Sequence, residues 1–89
     1  MGTTIFKKIW TQYITNGTLT ITYEYGLADV SFVLLSGAGT FQGTSVANGL
    51  ASEPINMVIG QSISVGSGSN IFVDGLILST TGTIQIVGR

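Results

Sequence analysis

Residues 18–25, Thr-Leu-Thr-Ile-Thr-Tyr-Glu-Tyr, contain the clearest strand pattern in the 89-residue chain. Apolar and polar side chains alternate here, so an extended segment places them on opposite faces. The apolar face would carry Leu19, Ile21, Tyr23 and Tyr25. Asn16-Gly17, immediately before this segment, is typical of a tight turn with positive φ. We therefore expect a hairpin that pairs residues 18–25 with the N-terminal segment.

The N-terminal segment allows two interpretations. Its large apolar residues recur at helical spacing and would form one stripe opposite Lys7 and Lys8. They are Ile5, Phe6, Ile9, Trp10, Tyr13 and Ile14. The same segment is rich in β-branched and aromatic residues and runs directly into the expected hairpin, which favours a strand. We favour a strand over residues 3–14 and keep a short helix as the alternative.

The rest of the chain consists of short apolar segments separated by glycine-containing turns. We expect a buried strand at residues 29–35 and a short strand at residues 40–42. From residue 55 the alternation returns, with a bulge or bend at Gly60-Gln61. The apolar residues of that run share parity: Ile55, Met57, Ile59, Ile63 and Val65.

The C-terminal residues contain two further turn signals. Residues 71–78 are apolar except for Asp74-Gly75, which is expected to form a two-residue hairpin or a kink within one long strand. Thr81-Gly82 is expected to turn into a last strand at residues 83–87, with Ile84 and Ile86 inward. Together the segments predict an all-β fold, a small antiparallel sandwich or jelly roll of seven or eight short strands. Residues 1–89 then form a single domain, within which residues 1–15 are a candidate anchoring segment.

The chain is unusually poor in charge: it has three basic and four acidic residues, whereas 44% of its residues are hydrophobic. An average soluble domain is about one quarter charged. The charged residues are Lys7, Lys8, Glu24, Asp29, Glu53, Asp74 and Arg89. So few charges on so apolar a chain indicate that partners cover much of its surface. We therefore expect a building block of an assembly.

The same composition argues against several partners and compartments. A net charge of −1 without a basic stripe argues against nucleic acid. The apolar runs are far shorter than the ~20 residues of a membrane-spanning helix. The N-terminal residues contain no apolar core of a signal peptide, so we expect synthesis and use without export by the usual route.

No pattern in the sequence indicates catalysis or metal binding. The chain has neither His nor Cys, which removes the common nucleophile–base pairs and the usual zinc ligands. A carboxylate pair from Glu24, Asp29, Glu53 and Asp74 is the remaining catalytic candidate. Each of these acids fits a turn, a loop or the polar face of a strand. We expect no enzyme activity, no cofactor and no metal.

The aromatic residues suggest a second class of function. Trp10, Tyr13, Tyr23 and Tyr25 are expected on strands that pair, where some could form an exposed platform for a sugar ring. The alternative is packing in the core or at an interface, which the shared parity of the two later tyrosines with Leu19 favours. A carbohydrate-binding module is therefore the alternative function.

The last third of the chain, INMVIGQSISVGSGSNIFVDGLILSTTGTIQIVGR (residues 55–89), resembles the strand-rich modules of tailed-bacteriophage virion accessory proteins. Head fibres, capsid decoration proteins and tail or baseplate appendages share its low charge, lack of cysteine and Ser/Thr/Gly-rich composition. The resemblance implies a homo-oligomer, a trimer or higher, that is made in the host cytoplasm and attached to other proteins of the virion. The expected partner interface consists of Ile5, Phe6, Ile9, Trp10 and Tyr13.

Overall fold

The computed structural model describes residues 9–44, 53–66 and 72–89. The predictions for Ile5 and Phe6 lie outside these ranges. The described residues form one 3-10 turn and six strands, joined in a single sheet. The strands are β1 (Trp10–Ile21), β2 (Asp29–Ser36), β3 (Gly39–Gly43), β4 (Ile55–Asn56), β5 (Ser62–Gly66) and β6 (Leu76–Gly88), and the 3-10 turn is Tyr23–Tyr25.

Strand β6 organises the sheet because it pairs with three other strands. On one side it pairs with β1 along its whole length, from Trp10 opposite Gly88 to Ile21 opposite Leu76. On the other side its second half pairs with β2 and its first half with β3. Strand β5 extends the sheet beyond β2, and β4 extends it beyond β3. All of these pairings are antiparallel.

Irregular positions of three neighbouring strands lie side by side across the sheet, and irregularities of this kind bend the strands that contain them. We call this the bend line and define it by residues 16–17 in β1, 37–38 between β2 and β3, and 80–82 in β6. At Gly82 an added Cβ would overlap the carbonyl oxygen of Ser36, so only glycine allows this close approach. Beyond the bend line the two halves of the sheet curl into a half-barrel.

The side chain of Thr80 links two parts of the bend line, residues 37–38 and residues 80–82. It is 7% exposed, and its Oγ1 donates a hydrogen bond to the Ala38 carbonyl at 2.8 Å. The same oxygen accepts a hydrogen bond from the Gly82 backbone N–H at 2.9 Å. The Thr81 backbone N–H also donates to the Ala38 carbonyl at 2.9 Å. One buried hydroxyl thus supplies a partner for the Gly82 N–H and a second partner for the Ala38 carbonyl.

The Asn16-Gly17 pair does not form the predicted hairpin. It lies inside β1 as a bulge, where the register with β6 shifts between Thr15 and Gly17. The expected positive φ is present, since Asn16 has φ 48°. The residues on both sides of the bulge therefore belong to one strand that pairs with β6, and they do not pair with each other. The strand interpretation is confirmed for Trp10–Ile14, the described part of residues 3–14 that lies within β1.

Two other boundaries were predicted wrongly. Thr81-Gly82 is not a turn, because β6 runs through it without a break. The strand at residues 18–25 ends at Ile21, and Tyr23–Tyr25 forms the 3-10 turn. This turn is fixed by the Asp74 carboxylate, which accepts a hydrogen bond from the Tyr23 backbone N–H at 3.1 Å. At Asp74-Gly75 neither the hairpin nor a kink within one strand is present, because residues 72–75 lie outside any strand and Gly75, with φ 81°, forms a bend directly before β6.

The core lies on the concave face of the half-barrel. It contains Phe32 and Leu34 from β2 and the alternate residues Leu76, Leu78, Ile84 and Ile86 from β6. The inward direction predicted for Ile84 and Ile86 is confirmed, since both are fully buried. Met57 and Leu27 cover the core from the connections that follow β4 and precede β2. In the run from residue 55 the common parity fails, because Ile55 and Ile59 are exposed while Met57 is buried.

The all-β antiparallel class is confirmed. The sandwich or jelly roll is not, because the described strands form one curled sheet rather than two facing sheets. The strands of the described ranges number six instead of the expected seven or eight, partly since β1 and β6 each join two segments that the sequence analysis had separated. The strands predicted at residues 29–35 and 40–42 are confirmed as β2 and β3, but β2 is fully buried on one face only, and Leu35 is 44% exposed.

Candidate assembly surface

The predicted interface residues have different environments. Ile9 is 65% exposed and Tyr13 is 63% exposed. Trp10 is partly buried against the core, and its ring meets that of Tyr25 edge-on, with centroids 5.5 Å apart and planes at 78°. The start of β1 therefore presents two large side chains to solvent and holds a third against the molecule.

The four aromatic residues do not share one platform. Trp10 and Tyr13 lie on opposite faces of β1, the first toward the core and the second toward solvent. Tyr23 and Tyr25 lie on the 3-10 turn rather than on a strand. Because Tyr25 meets Trp10 edge-on, these two rings do not form a flat surface for stacking on a sugar.

The convex face of the sheet carries mainly hydroxyl and amide side chains, with the half-buried Val33, Ile77 and Val87 among them. Cross-strand neighbours are joined on it by hydroxyl pairs, Thr18 with Ser79 and Ser31 with Ser64, each at 3.0 Å. At the bend line this face has a shallow depression of about 290 Å³. Its lining is Asn16, Gly17, Thr18, Ala38, Gly39, Thr40, Ser79, Thr80 and Thr81.

Charge is almost absent from the sheet. Among the residues of the six described strands only Asp29, the first residue of β2, is charged. The other charged residues in the described ranges lie in turns, in loops or after the last strand: Glu24, Glu53, Asp74 and Arg89. Neither face of the sheet therefore carries the mixed charges that keep an isolated domain apart from its neighbours.

A second group of exposed apolar side chains lies near the end of β2. Leu35 is 44% exposed, Val58 is 62% exposed and Ile59 is 58% exposed. They are neighbours because Ile59 forms a bridge with Leu34, and the Gly60 backbone N–H donates to the Leu34 carbonyl at 2.9 Å. This group adds a second apolar region to the one at the start of β1.

Strand β1 has an open edge, since among the described strands it pairs with β6 alone. The hydrogen bonds between β6 and β2 show which backbone groups of β1 face the open edge. Asp29 and Arg89 exchange both backbone hydrogen bonds, each 2.9 Å long. Successive residues of an antiparallel strand direct their N–H and C=O groups to opposite sides. Odd-numbered residues of β6 therefore bond to β2 and β3, as the Thr81–Ala38 bond also indicates.

The even-numbered residues of β6 accordingly bond to β1. The register makes their partners Trp10, Gln12 and Ile14 before the bulge and Gly17, Leu19 and Ile21 after it. The intervening residues direct their N–H and C=O groups away from β6, toward the open edge. They are Thr11, Tyr13, Thr15, Thr18 and Thr20.

The open edge lacks the features that normally protect a strand edge from pairing. From Ile9 to Tyr23 the sequence contains no charged residue and no proline. The bulge at Asn16 is its one irregularity. Sequence analysis identified exposed residues of this segment but missed the edge, because the expected hairpin gave β1 a different partner. The uncharged run was the available signal.

The acidic residues do not form a metal site where the structure describes them. In the described ranges no group of three or more Asp or Glu side chains could hold a metal ion. Asp74 serves the 3-10 turn through its bond to Tyr23. Within the same ranges no helix is long and apolar enough to cross a membrane.

Comparisons with known proteins give no relative on which to base a function. No protein-family model, no curated protein and no solved structure matches the chain.

Proposed function

We propose that the protein is a homo-oligomeric structural subunit of a phage-like viral particle, acting in capsid decoration, in a head fibre or in tail attachment. The observation that carries the proposal is the nearly uncharged sheet: one charged residue on the six described strands, beside exposed apolar side chains at the start of β1 and near the end of β2. A surface of this kind is suited to contact with other protein rather than to dispersal in water.

The other parts of the surface support an assembly role. An uncharged strand edge as long as β1 is a template for pairing with another chain. The small core, without disulfides because the chain has no cysteine, is of the size that often gains stability from oligomerisation. The virion as the location of the assembly depends on the resemblance of residues 55–89 to phage accessory proteins.

A carbohydrate-binding module has less support. The exposed faces of Tyr13 and Tyr23 are the remaining candidates for stacking on a sugar, at 63% and 61% exposure. Trp10, the strongest stacking residue in the chain, is partly buried and in contact with Tyr25. Glycan binding that is abolished by Tyr13→Ala would favour this module over the structural role.

The proposal is tested by mass in solution and by gene context. Size-exclusion chromatography with light scattering at micromolar concentration is expected to give a defined oligomer. The coding sequence is expected to lie beside genes for capsid or tail proteins. A dispersed monomer over the whole concentration range, together with a gene context free of virion proteins, would contradict the proposal.

A further inference from the structure

We propose that β1 pairs with β1 of a second copy, antiparallel and across a two-fold axis at Tyr13, so that one sheet continues through both copies. This inference rests on the proposed function in one respect, that the chain acts as a homo-oligomer. It adds which surface joins the copies and in what register.

A second copy fits this edge for reasons of chemistry and symmetry. The edge offers backbone N–H and C=O groups and neutral Thr and Tyr side chains, so a suitable occupant is another uncharged strand with an open edge. Strand β1 of a second copy is itself such a strand, uncharged and with a long open edge. The other edge strands in the described ranges are shorter, since β4 has two residues and β5 has five.

The direction of the backbone groups fixes the register. In an antiparallel pair the residues that exchange hydrogen bonds must all face the shared edge. Before the bulge these are Thr11, Tyr13 and Thr15. A two-fold axis at Tyr13 places Tyr13 opposite its own copy and Thr11 opposite Thr15 of the other copy. Each of these pairs then exchanges two backbone hydrogen bonds.

The bulge selects this half of the strand. At Asn16 the direction of the backbone changes and the alternation shifts by one residue, so a regular partner strand follows only one side of the bulge. The side before the bulge has three residues facing the edge, and the side after it has two, Thr18 and Thr20. Thr11, Tyr13 and Thr15 are all exposed, as access to this edge requires.

The contact also covers the most exposed tyrosine of the sheet. In the proposed register the two Tyr13 side chains lie next to each other on the convex face, where each is 63% exposed in the single copy. Aromatic cross-strand pairs stabilise antiparallel sheets. The register therefore covers a large side chain that the single copy leaves exposed to solvent.

The first experiment tests proximity at the axis with a single thiol. The chain has no cysteine, so Tyr13→Cys introduces one defined thiol, and Tyr23→Cys is the matched control because Tyr23 is 61% exposed but lies off the edge. With a short bismaleimide at micromolar protein, Tyr13→Cys is expected to form covalent dimer at least about tenfold faster than Tyr23→Cys. Hydrogen-bonded residues of antiparallel strands lie about 5.5 Å apart, so one linker can join the two thiols at the axis. Equal rates for the two variants would overturn the inference.

The second experiment removes a backbone N–H donor at the open edge of β1 and leaves the β1–β6 hydrogen bonds within each copy in place. Thr15→Pro and Thr20→Pro each delete an N–H that faces away from β6, so neither removes a β1–β6 hydrogen bond. Light scattering over a dilution series is expected to show self-association weakened about tenfold or more by Thr15→Pro, because two hydrogen bonds are lost across the axis, and little changed by Thr20→Pro. Circular dichroism checks that both variants are folded.

If either proline variant fails to fold, Tyr13→Lys and Tyr23→Lys replace the pair, since two lysines would then face each other only at the axis. A stable trimer that is still formed by the Thr15→Pro or Tyr13→Lys variant would overturn the β1 contact and leave the proposed function intact. A monomer at every concentration would overturn the β1 contact and the homo-oligomeric part of the proposed function.

Discussion

Replacement of Thr80 by valine tests whether the hydroxyl at the bend line holds the sheet in its curled form. Valine keeps the branched shape and is equally suited to a strand, but it has no hydroxyl. Thr80→Val therefore deletes the bond to the Ala38 carbonyl and the bond from the Gly82 N–H. The Ala38 carbonyl keeps the Thr81 N–H as a partner, whereas the Gly82 N–H loses the bond that Thr80 provides.

The magnitude follows from these two losses. A hydrogen bond contributes about 1 kcal/mol net, and a partly buried donor left unpaired costs about 1–3 kcal/mol. We expect Thr80→Val to lower the free energy of unfolding by about 2–3 kcal/mol. With a urea m-value of about 1.5 kcal/mol/M, the unfolding midpoint falls by about 1–2 M. Protein concentration is held constant, because self-association contributes to the measured stability.

The matched control is the next residue. Thr81→Val also deletes a hydroxyl, but Thr81 is exposed and its Oγ1 makes only longer bonds to Ala38. It accepts from the Ala38 N–H at 3.2 Å and donates to the Ala38 carbonyl at 3.5 Å. Water can replace these bonds, so we expect a loss below about 1 kcal/mol. Thr80→Ser, which keeps the hydroxyl, should retain most of the stability. Equal midpoints for the two valine variants would refute the role assigned to Thr80.

Two further predictions concern the bulge and the aromatic contact. Asn16→Val should lower stability by about 1–2 kcal/mol in thermal unfolding, since a β-branched residue strains at φ 48°, whereas Asn16→Gly should be close to neutral. A loss of equal size in both variants would point to the asparagine side chain instead. Tyr25→Ala should shift the fluorescence of Trp10, the one tryptophan of the chain, toward the red because that ring loses its edge contact, and Tyr23→Ala should not. Identical spectra for both alanine variants would contradict the contact.

The turns predicted at Asn16-Gly17 and Thr81-Gly82 are both wrong, but only the second could have been excluded from the sequence. A two-residue hairpin and a one-residue bulge both shift the apolar alternation by one position. The change from Ile14 to Leu19 therefore fits either structure. The choice depends on pairing with β6, which lies far along the chain. No local pattern around Asn16 contains that information.

At Thr81-Gly82 the sequence did contain the answer. A two-residue hairpin there would reverse the parity of the inward residues, because the residues that flank it face the same side. Leu76, Leu78, Ile84 and Ile86 all keep even parity, as a continuous strand requires. The glycine was read as a turn residue, whereas its role is the close approach of the Ser36 carbonyl.

The candidate surface was predictable in composition but not in geometry. Scarcity of charge and the exposure of Ile9 and Tyr13 concern single residues. The open edge of β1 is a property of strand order, which depends on long-range pairing that no local propensity fixes. The partial burial of Trp10 depends likewise on a turn, Tyr23–Tyr25, that the strand pattern of residues 18–25 concealed.

The dependence of β1, β2 and β3 on β6 has a consequence during synthesis. Their shared partner is residues 76–88, so a growing polypeptide exposes three almost uncharged strands until residues 76–88 have been translated. Pairing across such sequence distances is slow, and unpaired strands aggregate while they wait. Nascent chains on neighbouring ribosomes would then compete with the correct intramolecular partner, and yield would fall as expression rises.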